Sequence, residues 1–319
     1  LYEDNYDIVL SQTAHHGLST TMYSEIGIAI LAGLGGMLGW GFADFFPKKT
    51  IPIIGELPSL VWAHIFGTAG FLALVLGRFM LFGQPITVPV DAFTWLFLAG
   101  FCVLQAIVYY FVYKAFAKGK LSLLNPVFAS FTGMVAIFSI LIFREPISGL
   151  LAFALFAIFF GIVLINVDIQ DIRAGRFDFK HIPGLREISI ATVLAAIWTL
   201  SWDIFVSGTD WLAYAFYMYA FMSATFLGAA LVSKVRLTGV PSTVWILLLC
   251  IGLFETLAYF SISYGYGETS YTSIVALISG AFSVPTILLA WYFLKERTSG
   301  IQTAGIISII FGVCLLPLM

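Results

Sequence analysis

Glu255 lies twelve residues into the apolar run 243–265. Charge within hydrocarbon costs at least about 2.5 to 3.5 kcal/mol on insertion scales, so an ionisable side chain at that depth is a functional candidate by default. Its chemistry would be to bind a coupling proton or a substrate amine. The bland reading is a protonated glutamate hydrogen-bonded to a neighbouring helix. Gln105 lies equally deep in the run 93–116, where its amide could meet a substrate or simply bridge two helices. Tyr109 and Tyr259 follow one helical turn later on the same faces, as aromatic walls or as packing.

Four further sites belong to the same inventory. His64, six residues into the run 58–80, titrates near neutrality and suits a proton relay or an interhelical hydrogen bond. Asp203 follows Trp202 near the end of the run 187–207, as a gate residue or a helix-end anchor. Asp44, just past Trp40, precedes Lys48 by four residues, the acid-first order that favours a local ion pair. Asn125-Pro126 opens the run 121–143; capping explains it, and the Asn125 side chain could also line a cavity.

Apolar runs of bilayer length must position these groups. They fall at 25–46, 58–80, 93–116, 121–143, 148–167, 187–207, 211–233, 243–265, 270–293 and 298–318. The chain has 319 residues, 61% hydrophobic and 10% charged, which excludes an ordinary soluble domain. In lipid every backbone polar group must be satisfied internally, and these runs do not alternate as barrel strands do, so they are helices. The expected fold is all-α and polytopic, with ten transmembrane helices.

The runs are duplicated. Glu145, Ser148, Gly149, Phe160 and Gly161 recur in register as Glu296, Ser299, Gly300, Phe311 and Gly312. Glu145 and Glu296 lie in the turns before spans 5 and 10, where a carboxylate favours the N-terminus of the following helix, so both read as architecture. Ser24-Glu25-Ile26 and Arg186-Glu187-Ile188 begin stretches that lead without gaps to Trp40 and Trp202. The same relation pairs Gln105 with Glu255, each four residues before a tyrosine. Five spans per copy is odd, so the second copy enters the membrane from the opposite side. The division is a polar N-terminal tail 1–21, a first repeat 22–168, a polar linker 169–186 and a second repeat 187–319. Met22 would suit a start, leaving 1–21 foreign to the protein or a disordered tail.

Thirteen of the fifteen Lys and Arg lie in joints after odd-numbered spans; Arg78 and Arg144 are the exceptions. The positive-inside rule would then put both termini outside. A net charge of −2 without a basic patch argues against nucleic acid. Cys102, Cys250 and Cys314 lack metal-ligand or CxxC spacing and read as buried small hydrophobes. His15-His16 has no further ligand at helical spacing, so neither a metal nor a cofactor is expected.

Several local patterns converge on one family. They are Trp40-Gly41 followed by Lys48, Lys114-Ala115-Phe116-Ala117-Lys118-Gly119, Asn125-Pro126 and Phe143-Arg144-Glu145, together with the doubled Glu-x-x-Ser-Gly and Phe-Gly. Over residues 23–318 the chain resembles EamA-type transporters of the drug/metabolite transporter superfamily. The resemblance implies spans 1–4 and 6–9 around a central cavity with spans 5 and 10 outside. It also implies carriage of a small polar metabolite, an amino acid or sugar, often outward, by alternating access. Such transporters are usually drawn with both termini in the cytoplasm, opposite to the charge rule here.

The partners so expected are a small-molecule substrate, protons, the lipid of the cytoplasmic membrane and, as a further candidate, a second copy of the chain. The competing classes are a structural or receptor-like membrane protein and an intramembrane enzyme. The sequence carries no HExxH or GxSxG, and Gly265-Tyr266-Gly267-Glu268 lacks a matched second acid. No P-loop is present, so ATP is not a direct energy source.

Overall fold

The computed structural model describes residues 4–119, 121–166, 183–294 and 299–318, with side chains from residue 24 onward except at 48, 121–123, 125, 126, 165, 166, 287, 290, 291 and 294. Within these residues the chain is helix and turn. The helices are α1 (Asp4–Ala43), α2 (Pro47–Ile54), α3 (Glu56–Phe82), α4 (Ala92–Lys118), α5 (Leu121–Phe143), α6 (Gly149–Asn166), α7 (Leu185–Val206), α8 (Trp211–Val232), α9 (Ser242–Glu268), α10 (Thr272–Gly280), α11 (Ser283–Leu294) and α12 (Gly300–Leu315). Seven of the ten expected spans are helices long and apolar enough to cross a membrane; Val127–Phe143, Gly149–Leu164 and Thr272–Thr286 are shorter apolar helices. Large apolar side chains such as Leu96, Phe156 and Ile307 point outward, as lipid contact requires.

The strongest helix contacts join one repeat to the other rather than running within a repeat. Among the helices that cross, α1 meets α9, α9 meets α3, α3 meets α8, α8 meets α4, α4 meets α7, α7 meets α5, α5 meets α10 and α10 meets α1. That sequence closes a ring of the first four spans of each copy. Exchanging the copies maps the ring onto itself, as the inverted duplication demands. α6 and α12 pack against each other outside it.

The repeated residues explain the outer pair. Ser148 Oγ accepts from the Leu151 amide at 3.1 Å, and Ser299 Oγ accepts from Gln302 at 3.2 Å, so each Ser-Gly caps its outer helix. A Cβ at Gly161 would lie 2.7 Å from the Gly305 carbonyl oxygen, and one at Gly312 would lie 2.8 Å from that of Ala154. Each Phe-Gly glycine therefore admits the partner helix's backbone. Inside the ring, Gly39 of α1 meets α9 in the same way: a Cβ there would sit 2.6 Å from both the Ala258 nitrogen and the Phe254 oxygen.

Three local expectations change. The ninth span is broken between Gly280 and Ser283, because Pro285 has no N–H for the Ala281 carbonyl and its ring crowds that carbonyl. Thr286 Oγ1 bonds the Gly41 carbonyl at 2.8 Å, tying the break to α1. Glu145 does not serve the helix that follows it. It is buried and accepts from the Ser273 amide at 3.0 Å, capping α10 in the opposite repeat. Of the cysteines, Cys102 is buried as expected, Cys250 is half-buried and Cys314 lies on the outer surface. Glu296, His15 and His16 fall outside the described side chains.

At the membrane face remote from most lysines, Arg78 at the end of α3 grips Asp210, which caps α8. The grip is bidentate, with Nη1 to Oδ1 at 2.6 Å and Nη2 to Oδ2 at 2.7 Å. Burial raises the Asp210 carboxyl, but the Arg78 guanidinium and the Ala213 amide outweigh it and hold the group down at about 2. A carboxyl held below its unfolded value stabilises the fold above that value, about pH 4, and the contribution fades as pH falls towards 2. The melting-temperature gap between native protein and Asp210→Asn in detergent should therefore be flat above about pH 4 and close below it. A gap that persisted to pH 2 would assign it to something other than the ion pair. Gly39→Ala should destabilise by about 1–3 kcal/mol, because its clash is with backbone that cannot rotate away. An unchanged melting temperature would mean that α1 and α9 are not in close contact.

Candidate functional site

The space inside the ring is lined mainly by aromatic side chains of α1, α4, α5, α7 and α9. Its free volume is about 40 Å³, room for only a few waters. The cavity reaches from mid-membrane to Asp44, just past the end of α1, on the face that carries Lys49, Lys114 and Lys118.

Tyr259 stands at its inner end. Its hydroxyl accepts from Gln105 Nε2 at 2.5 Å and from the Tyr109 hydroxyl at 3.0 Å, joining α9 of one repeat to α4 of the other. Four-residue spacing places Gln105, Tyr109 and Tyr113 on one stripe of α4, and all three line the cavity. Trp40 stands edge-on to Phe131, Tyr259 and Phe282, with centroids 5.6–6.4 Å apart and planes at 74–83°. Gln105 Oε1, Trp40 Nε1 and the Tyr113 hydroxyl are buried without a hydrogen-bond partner among the described residues. Such groups sit stably only where something else can meet them.

Behind Tyr259 lies a buried carboxylate and imidazole. Glu255 Oε2 is 3.8 Å from His64 Nε2 and accepts from the Tyr219 hydroxyl at 3.4 Å. His64 Nδ1 lies 2.9 Å from the Leu60 carbonyl, which only accepts, so Nδ1 carries hydrogen. Neutral His64 therefore aims a bare Nε2 lone pair at the Glu255 carboxyl, and that nitrogen has no hydrogen-bond partner among the described residues. The imidazole is clamped by rings, parallel to Tyr219 at 5.7 Å and edge-on to Tyr109 at 5.1 Å. At 3.8 Å the two groups are beyond hydrogen-bond reach but close enough for a charge on one to be felt by the other. Tyr109 connects that pair to the cavity.

A family model described as "EamA-like transporter family" matches residues 27–167 and again 184–317. The chain belongs to the EamA-like transporter family. One solved crystal structure superposes on this EamA-like chain with a TM-score of 0.71 at 16% identity, over 90% of this chain and 95% of that one. At that identity the likeness speaks to the fold alone. No curated protein matches the chain.

Within this EamA-like frame, Trp40, Asp44, Gln105, Tyr109 and Tyr259 line the cavity together, and Glu255 and His64 lie directly behind it. Trp202 and Asp203 stand apart from the lining. Trp202 donates to Ser263 Oγ at 3.1 Å, while Asp203 accepts from Thr272 Oγ1 at 2.6 Å and ties α7 to α10. Asn125 lies in α5, but its side chain falls outside the described residues. Among the described residues no group of three or more His, Cys, Asp or Glu could hold a metal. Sequence reasoning missed Tyr113, Trp198 and Tyr219. Tyr113 continues the Gln105-Tyr109 spacing and was open to inference; Tyr219, one of four tyrosines between 214 and 266 that end up buried with Tyr259 among them, carries no distinguishing signal.

If Tyr259 links the repeats as drawn, Tyr259→Phe and Gln105→Leu should each destabilise, by about 1–3 kcal/mol where a buried donor is stranded. The double variant should cost less than the two singles added, by roughly 0.5–3 kcal/mol in a cycle of detergent melting curves. Additive effects would dissolve the link.

Proposed function

We propose that the protein is a secondary carrier that moves a small polar metabolite across the cytoplasmic membrane by alternating access, with Glu255 and His64 binding the coupling proton. The observation that carries this reading is the buried Glu255 carboxyl, with His64 Nε2 3.8 Å away, beside a mid-membrane cavity built from both repeats. The groups that face the pair from neighbouring helices are Tyr219 of α8 and Tyr109 and Tyr113 of α4, with Tyr259 one turn along α9 and Asp44 across the cavity. Loading the pair with a proton removes a negative charge next to the cavity. That change is felt by any charged substrate within it.

Membership of the family and the absence of an enzymatic motif support carriage rather than catalysis. The ring closes within one chain, so the proposed cycle needs no second copy. The cavity lies towards the lysine-bearing face, which the charge rule assigns to the cytoplasm. Reporter fusions decide that assignment: both termini are expected outside, and a cytoplasmic N-terminus would overturn the orientation without touching the carrier.

Proteoliposomes test the mechanism, using a compound chosen because it raises the melting temperature of the purified protein. An imposed pH gradient is expected to drive its accumulation with native protein. Glu255→Gln should abolish that accumulation, and His64→Gln should shift its pH dependence. Coupling that survives in Glu255→Gln would remove Glu255 as the proton site.

A further inference from the structure

We infer that Glu255 is reached by a second route, from the membrane face remote from most lysines, which this structure holds shut with a latch between Trp202 and Ser263. This rests on the carrier reading above and says from which side its proton site is loaded.

The two copies are related in space as well as in sequence. Thr68 Oγ1 and Ser223 Oγ, 155 residues apart, meet at 2.8 Å. The same separation relates His64 to Tyr219 and Phe71 to Phe226, and the ring contacts repeat with it. His64 lies 4.7 Å from Phe226, and Tyr219 lies 4.9 Å from Phe71. Exchanging the copies therefore maps the interface of α3 and α8 onto itself, with Thr68 and Ser223 on the axis. α4 and α9 obey the relation too, because Gln105 and Glu255 are each the middle residue of a 27-residue helix. Such a relation gives each contact on one face a counterpart on the other.

One pair of counterparts differs in state. Trp40 answers to Trp202, and Tyr113, two turns beyond Gln105, answers to Ser263, two turns beyond Glu255. On the remote face Trp202 Nε1 donates to Ser263 Oγ at 3.1 Å, and both residues are wholly buried. On the lysine-bearing face Trp40 and Tyr113 stand apart as walls of the cavity, and no hydrogen bond joins them. The pair is shut in one copy and open in the other. Exchanging the two states would bring Trp40 Nε1 to the Tyr113 hydroxyl and part Trp202 from Ser263.

Register also says what the parting would uncover. Gln105 and Val112 line the present cavity, so their counterparts Glu255 and Ile262 would line the new one. Tyr109 with Tyr259, and Phe131 with Phe282, are counterparts that all line the cavity now and would keep that place in either state. The new route is short. An open hollow of about 360 Å³ on the remote face already reaches Asp203. Its neighbour Trp202 stands between that hollow and the cavity wall, stacked on Trp198 at 5.4 Å. Gln105 thus serves one side of the membrane and Glu255 the other.

Thiol accessibility in membranes tests this. In a background with Cys102, Cys250 and Cys314 replaced by alanine, Val112→Cys and Ile262→Cys place single thiols at counterpart positions. A charged, membrane-impermeant methanethiosulfonate is applied from each face, using intact cells and inside-out vesicles. Val112→Cys is expected to react from the lysine-bearing face only, and Ile262→Cys, more slowly, from the remote face only. Ser263→Ala and Trp202→Phe, which remove the latch from either end, should each speed Ile262→Cys by about fivefold, the worth of one ordinary hydrogen bond, and slow Val112→Cys. Tyr113→Phe removes the hydroxyl that the exchanged state needs and should slow Ile262→Cys. Reaction of either thiol from the opposite face overturns the inference. So does silence of either, Ile262→Cys in the Ser263→Ala protein included, or a rate that neither latch variant changes. The two readings fail separately. Side-specific reaction without uptake driven by a pH gradient would leave the latch standing and sink the proton carrier. Driven uptake with Ile262→Cys silent from both faces would do the reverse.

Discussion

Backbone-to-backbone approach across the two repeats is the constraint on which the other features rest. In a bilayer there is no hydrophobic force to press one apolar helix on another, so association depends on close packing and on the few polar groups that find partners. Gly39 of α1 provides that closeness against α9, and Gly161 and Gly312 provide it between α6 and α12. Because these contacts join opposite copies, the eight inner helices close around a space that belongs to both. Gln105 and Tyr259, far apart in sequence and in different copies, meet there for that reason.

The polar groups divide into two populations once the ring is drawn. Arg78 with Asp210, Glu145 with Ser273 and Asp203 with Thr272 fasten helix ends near one membrane face. Each of these carboxylates accepts a hydrogen bond from its partner, although Arg78 Nε has none among the described residues. Glu255, His64, Gln105, Trp40 and Tyr113 form the other group, which holds most of the buried atoms that lack partners among the described residues. The first population holds the molecule closed on one side, and the second leaves unmet capacity on the other. In the cycle proposed above, a single conformation would show such asymmetry between the two faces.

Much of the fold was legible because hydrocarbon imposes strong rules on sequence. Length and apolarity located ten spans, and register located the duplication. Of the candidate site, register singles out Gln105, Tyr109 and Tyr259, which line one cavity, and Glu255, which lies behind it. What escaped depends on contacts between helices remote in sequence. Glu145 looked like a cap for its own following helix, yet it turns inward to α10, a choice that only the crossing of the repeats decides. The broken ninth span has a local cause in Pro285, but proline is tolerated in many membrane helices, and the break is fixed by Thr286 reaching Gly41 on α1. Trp198 and Tyr219 are two aromatics among many in the sequence, and their place beside Tyr259 appears only in three dimensions.

The interleaving of the copies also bears on how the molecule comes into being. During synthesis α1, α3, α4 and α5 reach the bilayer before any of α7 to α10 exists, so the faces they will give to the other copy are first covered by lipid. The glycines of α1 and the Gln105 Nε2 donor wait in that environment for partners not yet translated. The ring can close only when α10 slides between α1 and α5, after nearly nine tenths of the 319 residues have been made. Assembly is thus a late, concerted event, and the first copy spends its early life as a set of helices and not yet as a half-built carrier.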